Sequence, residues 1–172
     1  MLKADTASAP SGGAELQSDA RGAGIRAALL TDLDALIALE RHFPGDRLSR
    51  QSFRRLLQGG SAEVWVYEEA GCVAGDTVLL YRRNSAQARL YSVIVHPRYQ
   101  GRGIARALLH HAEQAATRRG CQRLSLEVRT DNAPALRLYQ KDGFQPVRQI
   151  ADYYEDHAPA LRLEKQVASN KQ

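Results

Sequence analysis

The sequence predicts an α/β chain of the α+β type, with a mixed, mostly antiparallel central sheet flanked by helices on both faces. Three observations carry that prediction. Three strand-like runs between residues 64 and 95 are joined by short turns, which gives an antiparallel meander. A long amphipathic pattern begins just after His96-Pro97 and a glycine turn. Beyond it the order is strand, helix, strand, strand, and only the strand–helix–strand crossovers after His96 need parallel neighbours.

Taken in order, Ile25 to Leu29 is expected as a short first strand. Thr31 then opens a helix as N-cap, with Asp34 three residues on in the manner of a capping box and Leu33, Leu36, Ile37 and Leu39 on its apolar face. Phe43-Pro44-Gly45 ends it. Ser49 caps a second helix carrying Phe53, Leu56 and Leu57, which Gly59-Gly60 stops. Val64–Tyr67, Val73–Tyr81 and Arg89–Val95 form the meander, with turns at Ala70-Gly71 and Asn84-Ser85. The long helix runs from about Gly103 to Arg119 and presents Ile104, Leu108, Ala112 and Ala115 on one stripe. Gly120 closes it as a C′ residue. Arg123 to Val128 alternates, with Leu124, Leu126 and Val128 on one face and Ser125 and Glu127 on the other. A helix from about Ala133 to Lys141 ends at Asp142-Gly143, and strands around Val147–Ala151 and Ala160–Glu164 complete the set.

The chain has 172 residues, 44% of them hydrophobic, and a net charge of +5. That length fits one domain, expected over 25–167, between flexible tails at 1–24 and 168–172. The first 24 residues lack the apolar core of a secretory signal, and no run approaches the ~20 apolar residues that span a bilayer. Only Cys72 and Cys121 occur, without a CxxC or a histidine cluster. A disulfide framework or metal site is therefore not expected, both cysteines are expected as small buried residues, and the cytoplasm is the expected compartment. The arginines are dispersed among acids with no aromatic stacking pattern, so no direct nucleic-acid binding and no membrane association is expected.

The segment richest in chemistry is Tyr99-Gln100-Gly101-Arg102-Gly103-Ile104-Ala105-Arg106. It lies between a strand and the start of a helix, where backbone N–H groups are unpaired and carry about half a positive charge. Gly101, Gly103 and Ala105 would let a phosphate approach that backbone, and Arg98, Arg102 and Arg106 add charge. No Gly-Lys-Ser/Thr follows, and Arg106 stands where a dinucleotide fingerprint needs glycine. Without other support a glycine turn required only by local geometry accounts for it equally well.

Support comes from a resemblance. Gln100-x-x-Gly103-x-Ala105 is similar to the Gln/Arg-x-x-Gly-x-Gly/Ala signature of the GCN5-related N-acetyltransferase (GNAT) family, in which the loop amides bind the pyrophosphate of acetyl-CoA. Val93-Ile94-Val95-His96-Pro97 resembles the end of the family's fourth strand, which holds the pantetheine arm. Within the family, Leu126-Glu127-Val128-Arg129-x-Asp131-Asn132-x-Pro134-Ala135-x-x-Leu138-Tyr139, with Gly143-Phe144 and Tyr153-Tyr154, most resembles the ribosomal-protein-alanine N-acetyltransferases. The segment after Tyr154 is shorter than theirs and the N-terminal tail is extra.

The resemblance implies an acetyl-CoA-dependent N-acetyltransferase without a metal. It gives Glu127 the role of general base, directly or through water; spacing alone allows equally a solvated acid paired with Arg123 or Arg129. Tyr139 would protonate the departing thiolate, since a phenol of pKa about 10 stays protonated where a thiol of about 8.5 does not; core packing is the plainer account. Asn132 is expected as the N-cap before Ala133-Pro134 and, by resemblance, a contact of the coenzyme arm. Val93, Ile94, Val95, Gln100, Gly101, Arg102, Gly103, Ile104, Ala105 and Arg106, with Asn132 and Tyr139, make up the expected coenzyme site, with N–H groups near Ile94 and Val95 facing the oxyanion. Phe43, Pro44, Tyr153 and Tyr154 are the candidates for the acceptor groove.

Energetics favour a protein or peptide N-terminus as acceptor, with a ribosomal protein as one possibility. An α-amine of pKa about 7.8 costs ~0.5 kcal/mol to deprotonate at pH 7.4, and a lysine of about 10.4 costs ~4 kcal/mol. A lysine side chain or small-molecule amine is the alternative acceptor. A non-catalytic CoA-binding regulatory module is a further alternative, against which the presence of both Glu127 and Tyr139 argues.

Overall fold

Alternating apolar residues, turn chemistry and one long helical stripe produce a single mixed sheet in the computed structural model, which describes residues 22–167. The tail expected over 1–24 lies mostly, and that over 168–172 entirely, outside the described residues. The elements follow as β1 (Gly24–Ala27), α1 (Leu33–Glu40), α2 (Arg50–Gln58), β2 (Ala62–Glu69), β3 (Cys72–Tyr81), β4 (Gln87–Val95), α3 (Ile104–Arg118), β5 (Arg123–Arg129), α4 (Ala133–Lys141), β6 (Gln145–Ile150) and β7 (Ala160–Gln166). The sheet order is β1-β2-β3-β4-β5-β7-β6. Among the described residues only β4 and β5 pair in parallel, as the crossover through α3 requires. The α+β class and the order of elements agree with expectation.

Two cores lie on opposite faces. Leu33, Leu36 and Phe53 of α1 and α2 pack on Val64, Val66 and Val78. On the other face Ile104, Leu108, Leu109, Ala112 and Ala116 of α3 pack with Leu90, Leu124, Leu126 and Val128, joined by Ala135 and Tyr139 of α4. Each fully buried aliphatic side chain contributes about 1.5–3 kcal/mol, so α3 is held chiefly by this stripe. Gly75 lets β3 approach β4 and α3: a Cβ there would lie 2.6 Å from the Ile94 carbonyl oxygen and 3.2 Å from Leu108.

The N-terminal boundary differs from expectation. The first strand spans Gly24–Ala27, and a short 3₁₀ turn, Leu30–Asp32, precedes α1. Thr31 is exposed and does not cap. Arg26 holds the Asp32 carboxylate at 2.8 and 2.9 Å, and that carboxylate accepts the Leu29 N–H at 2.7 Å. An ion pair with Arg26, six residues upstream, thus engages Asp32 rather than Thr31 at the head of α1. Cys72 is also exposed, contrary to expectation, because it opens β3 just beyond the Ala70-Gly71 turn; Cys121 is buried. Ala70 and Gly71 both have positive φ, 50° and 76°, which suits the tight connection of β2 to β3.

Candidate active site

The site begins with an interruption in the sheet. Residues Gln87–Arg89 of β4 pair with Arg123–Ser125 of β5, and among the described residues the ladder goes no further. From Leu90 to Val95, β4 is paired with β3 alone, and Tyr91 is the extra residue of a bulge between Ser92 and Leu90. The edge facing β5 therefore keeps backbone groups free of a strand partner. Val93, Ile94 and Val95, the strand residues expected to hold a coenzyme arm, all lie on this divergent segment and are buried.

The glycine loop lies directly beyond. His96 Nδ1 accepts the Arg98 N–H at 3.1 Å and Pro97–Tyr99 makes one 3₁₀ turn. The Gln100 side-chain amide donates to the Val95 carbonyl at 3.3 Å and ties the loop to the strand end. Gly101 and Gly103 both have φ of 78°, in the left-handed region that favours glycine. A Cβ at either would meet nothing within 4 Å, so these glycines serve backbone shape and leave open space before the helix. Gly103 is the N-cap of α3, and the amides of Ile104, Ala105 and Arg106 belong to its first turn, where no intrahelical acceptor exists. Arg102 and Arg106 are exposed there; Arg102 reaches Glu69 at 3.2 Å, and Arg106 stands 3.9 Å from Asp142. An anionic phosphate fits such a terminus on charge and on hydrogen bonding.

Glu127 approaches from the other side of the sheet. The alternation of β5 sends Leu126 and Val128 to the α3 face and Glu127 to the α1 face, as expected. Its carboxylate, however, is only 1% exposed and is held between two guanidinium groups. Arg89 Nε donates to Oε2 at 2.8 Å, while Arg162 donates to Oε1 through Nε at 3.0 Å and Nη2 at 2.5 Å. Arg162 stands directly opposite Glu127 in the β5–β7 register. Burial pushes the carboxyl up, but the bonds from Arg162 and Arg89 outweigh it and hold it below the usual carboxylate range. The partners suggested by spacing, Arg123 and Arg129, are not these; Arg129 instead holds Asp131 and Asp156.

Tyr139 comes from α4, whose N-cap is Asn132: its side chain accepts the Ala135 N–H at 3.2 Å, as expected. The Tyr139 ring packs edge-on against Phe144 with centroids 5.7 Å apart. Its hydroxyl is fully buried with no hydrogen-bond partner among the described residues. Burial first, and then the nearby Tyr154, keep this phenol protonated far above neutrality. An orphaned buried donor carries a cost of about 1–3 kcal/mol, which a ligand acceptor would remove.

Tyr153 and Tyr154 sit in the β6–β7 loop, their rings edge-on at 5.0 Å. The Tyr153 hydroxyl accepts from Arg89 Nη2 at 2.9 Å. Tyr154 packs with Ala160 and Tyr91, and its hydroxyl too lacks a partner among the described residues. Tyr91, Glu127, Tyr153 and Tyr154 are thereby brought together. Phe43 packs away from solvent beside Leu39 and Ile94, leaving exposed Pro44 as the part of its loop open to an acceptor. The residues that local spacing did not reveal are Arg89, Arg162 and Tyr91. Arg89 and Arg162 lie 38 and 35 residues from Glu127, and only strand register could have found them.

A helix N-terminus with a glycine cradle, beside a strand edge freed from its neighbour and a buried unpartnered phenol, defines a scaffold for a phosphate-bearing acyl donor. The chain belongs to the Acetyltransferase (GNAT) family, whose sequence profile matches residues 18–144. A Bacillus subtilis (strain 168) protein classed with the [ribosomal protein bS18]-alanine N-acetyltransferases is 31% identical over 136 residues, covering 78% of this chain and 89% of that one. The crystal structure of the ribosomal-protein-S18-alanine N-acetyltransferase from Escherichia coli superposes with a TM-score of 0.77 at 28% identity, over 88% of this chain and 99% of that one. The fold also matches a chain of the NatC complex bound to Gag peptide and CoA, with a TM-score of 0.74 at 21% identity over 85% and 99% of the two chains. The protein is thus an acetyl-CoA-dependent GNAT acetyltransferase, and no described helix is long and apolar enough to cross a membrane.

Proposed function

We propose that this enzyme acetylates the N-terminal α-amine of a protein or peptide, with a ribosomal protein as the acceptor its named relatives suggest. The observation that carries the choice of amine is the double arginine hold on Glu127. A carboxylate held below its usual range is a weak base, suited to an amine that is already partly neutral at physiological pH. It suits a lysine ammonium poorly.

In this reading the amides of the Gln100–Arg106 segment hold the pyrophosphate, and the free edge of β4 at Val93–Val95 holds the pantetheine arm with Asn132 beside it. The amine nitrogen attacks the thioester carbon, forming the C–N bond as the C–S bond breaks. The Val95 N–H, on the edge of β4 turned away from β3, donates to the thioester oxygen. Glu127 takes the amine proton, directly or through a water, and the Tyr139 hydroxyl gives its proton to the departing thiolate. Pro44, Tyr153 and Tyr154 line the acceptor side, with Phe43 fixing the loop beneath. No step calls for a metal, and the cytoplasm, where ribosomal proteins are made, is the matching compartment.

The test follows thiol release and peptide mass with acetyl-CoA and short peptides. Turnover that stops when the α-amine is blocked is expected; preference for blocked, lysine-bearing peptides or small amines would overturn the acceptor. In the same assay Tyr139→Phe should lower kcat by about 100-fold, within the range of general acid catalysis. Its melting temperature should stay level or rise, because the variant removes a buried hydroxyl with no partner. A loss of stability that tracked the loss of activity would return Tyr139 to a packing role.

A further inference from the structure

We infer that Arg89 is a positioning residue that couples the carboxylate on β5 to the acceptor loop between β6 and β7. The inference rests on the reading above only in taking Glu127 and Tyr153 to serve the acceptor. Its own footing is geometric. Arg89 is the last β4 residue paired with β5, so it stands where the two strands begin to diverge. From there its guanidinium divides its donors: Nε goes to Glu127 Oε2 at 2.8 Å, and Nη2 goes to Tyr153 Oη at 2.9 Å. Its Cζ also lies 5.5 Å from the ring centre of Tyr91, the bulge residue, within cation–π range. One side chain therefore touches the carboxylate, the bulge and the loop.

The division of labour with Arg162 is specific. Arg162 gives two bonds to one oxygen of Glu127, and its contribution is charge and fixation of the carboxylate. Arg89 makes one bond to Glu127 and uses its other arm for the loop. A lysine cannot reproduce this, because the fork of a guanidinium fixes two donor directions that a single ammonium does not. The remainder of the loop is held by Arg129, which binds Asp156 at 2.8 and 3.0 Å, and by the Tyr153 and Tyr154 amides, which both donate to the Ala158 carbonyl at 3.2 Å. Arg129 fixes the far side of the loop, and Arg89 fixes the side that faces Glu127. The groups facing Glu127 are Arg89 from β4, Arg162 from β7 and, more weakly, Tyr153 and Tyr154 from the loop.

Two variants separate the two arms. Tyr153→Phe cuts only the loop arm, and Arg89→Gln cuts both. Amide hydrogen exchange at Tyr153 and Tyr154 should quicken about 10-fold in both variants, the loss of roughly one hydrogen bond to a charged donor. The carboxyl carbon resonance of Glu127, followed through an NMR pH titration, should move to higher pH in Arg89→Gln and stay within 0.3 units or so in Tyr153→Phe. The peptide KM should rise about fivefold or more in both, with the KM for acetyl-CoA unchanged. Unaltered loop exchange in Tyr153→Phe, or a Glu127 titration that Arg89→Gln does not move, overturns the coupling. So does a rise in the acetyl-CoA KM in place of the peptide KM. Glu127→Gln keeps the two readings apart. Unchanged turnover in that variant removes Glu127 from catalysis, while the exchange and titration results still decide the role of Arg89.

Discussion

Two buried charge clusters sit on opposite faces of the sheet, and they bury carboxylates in opposite ways. On the α1 face Glu127 is one carboxylate between two guanidiniums. On the α3 face Glu113 of α3 and Asp142, just past α4, share one ammonium: Lys165 reaches them at 2.7 and 3.1 Å. His110 adds a contact to Asp142 at 2.7 Å, and Arg106 stands farther off at 3.9 Å. Exposure of the carboxylate side chains is low in both, 1% for Glu127 against 17% and 5% for Glu113 and Asp142. Burial therefore cannot explain why they differ. The ratio of cations to carboxylates can. Glu127 lies below its usual range because two guanidiniums outweigh burial. Burial and the neighbouring Asp142 push Glu113 up to about 7, with Lys165 opposing, while Glu113, His110 and Lys165 together hold Asp142 down. The first arrangement keeps a charge fixed at working pH; the second holds one proton between two carboxyls near neutrality.

The sharpest way to break this contrast is to remove one cation from each cluster. Lys165→Met at pH 8 leaves two facing carboxylates on the α3 face with only His110 and the distant Arg106 near them. A loss of about 2–3 kcal/mol is expected, below the 3–5 kcal/mol of fully buried pairs because Lys165 is partly exposed. Arg162→Met leaves Glu127 still paired with Arg89, and about 1 kcal/mol is expected. Urea denaturation of the two variants at pH 8 measures the difference. Equal losses would show that burial and not partner count sets the energetics.

That contrast also marks where the sequence was legible. Helices α2, α3 and α4 and the three meander strands follow from periodicity, from Ser49 and Asn132 as caps, and from glycines at Gly71, Gly120 and Gly143 with positive φ. The cradle was legible because its spacing is local. The side of β5 that carries Glu127 was legible from alternation, but its surroundings were not. Local spacing offered Arg123 and Arg129, whereas the partners arrive from β4 and β7 through a register that no short window contains. Thr31 failed as a cap for a more local reason: Arg26, six residues before Asp32, holds that carboxylate at the head of the helix. Of the acceptor candidates in the loop after α1, Phe43 packs its ring beside Ile94 and Pro44 is exposed, a difference the turn residues do not encode. Local chemistry was readable, and the pairing of charges across strands was not.

The smallest expected effect tests the proton held on the α3 face. Because the folded value for Glu113, about 7, exceeds the ordinary 4.5, the folded state keeps a proton that the unfolded chain has released between those values. Stability from this group is therefore fullest below pH 4.5 and declines as pH rises through about 7. Glu127 runs the other way: its folded value is lowered, so its contribution is present above the ordinary carboxylate range and is lost as pH falls through the folded value. Between pH 5.5 and 8 the falling Glu113 slope runs against His96 and His111, whose burial lowers their imidazoles and makes stability rise with pH. The Glu113 share, about 1 kcal/mol after allowance for solvent screening or ~3 °C in melting temperature, is therefore read as the difference between the parent and Glu113→Gln. Glu113→Gln replaces the titrating carboxyl with a neutral amide that can still donate to Asp142, and the decline should flatten. Acetyl transfer at pH 7 should change less than twofold, since Glu113 lies on the face away from Glu127 and touches no residue of the cradle. A slope that persists in Glu113→Gln would place the neutral proton elsewhere, and the two clusters would then differ in geometry alone.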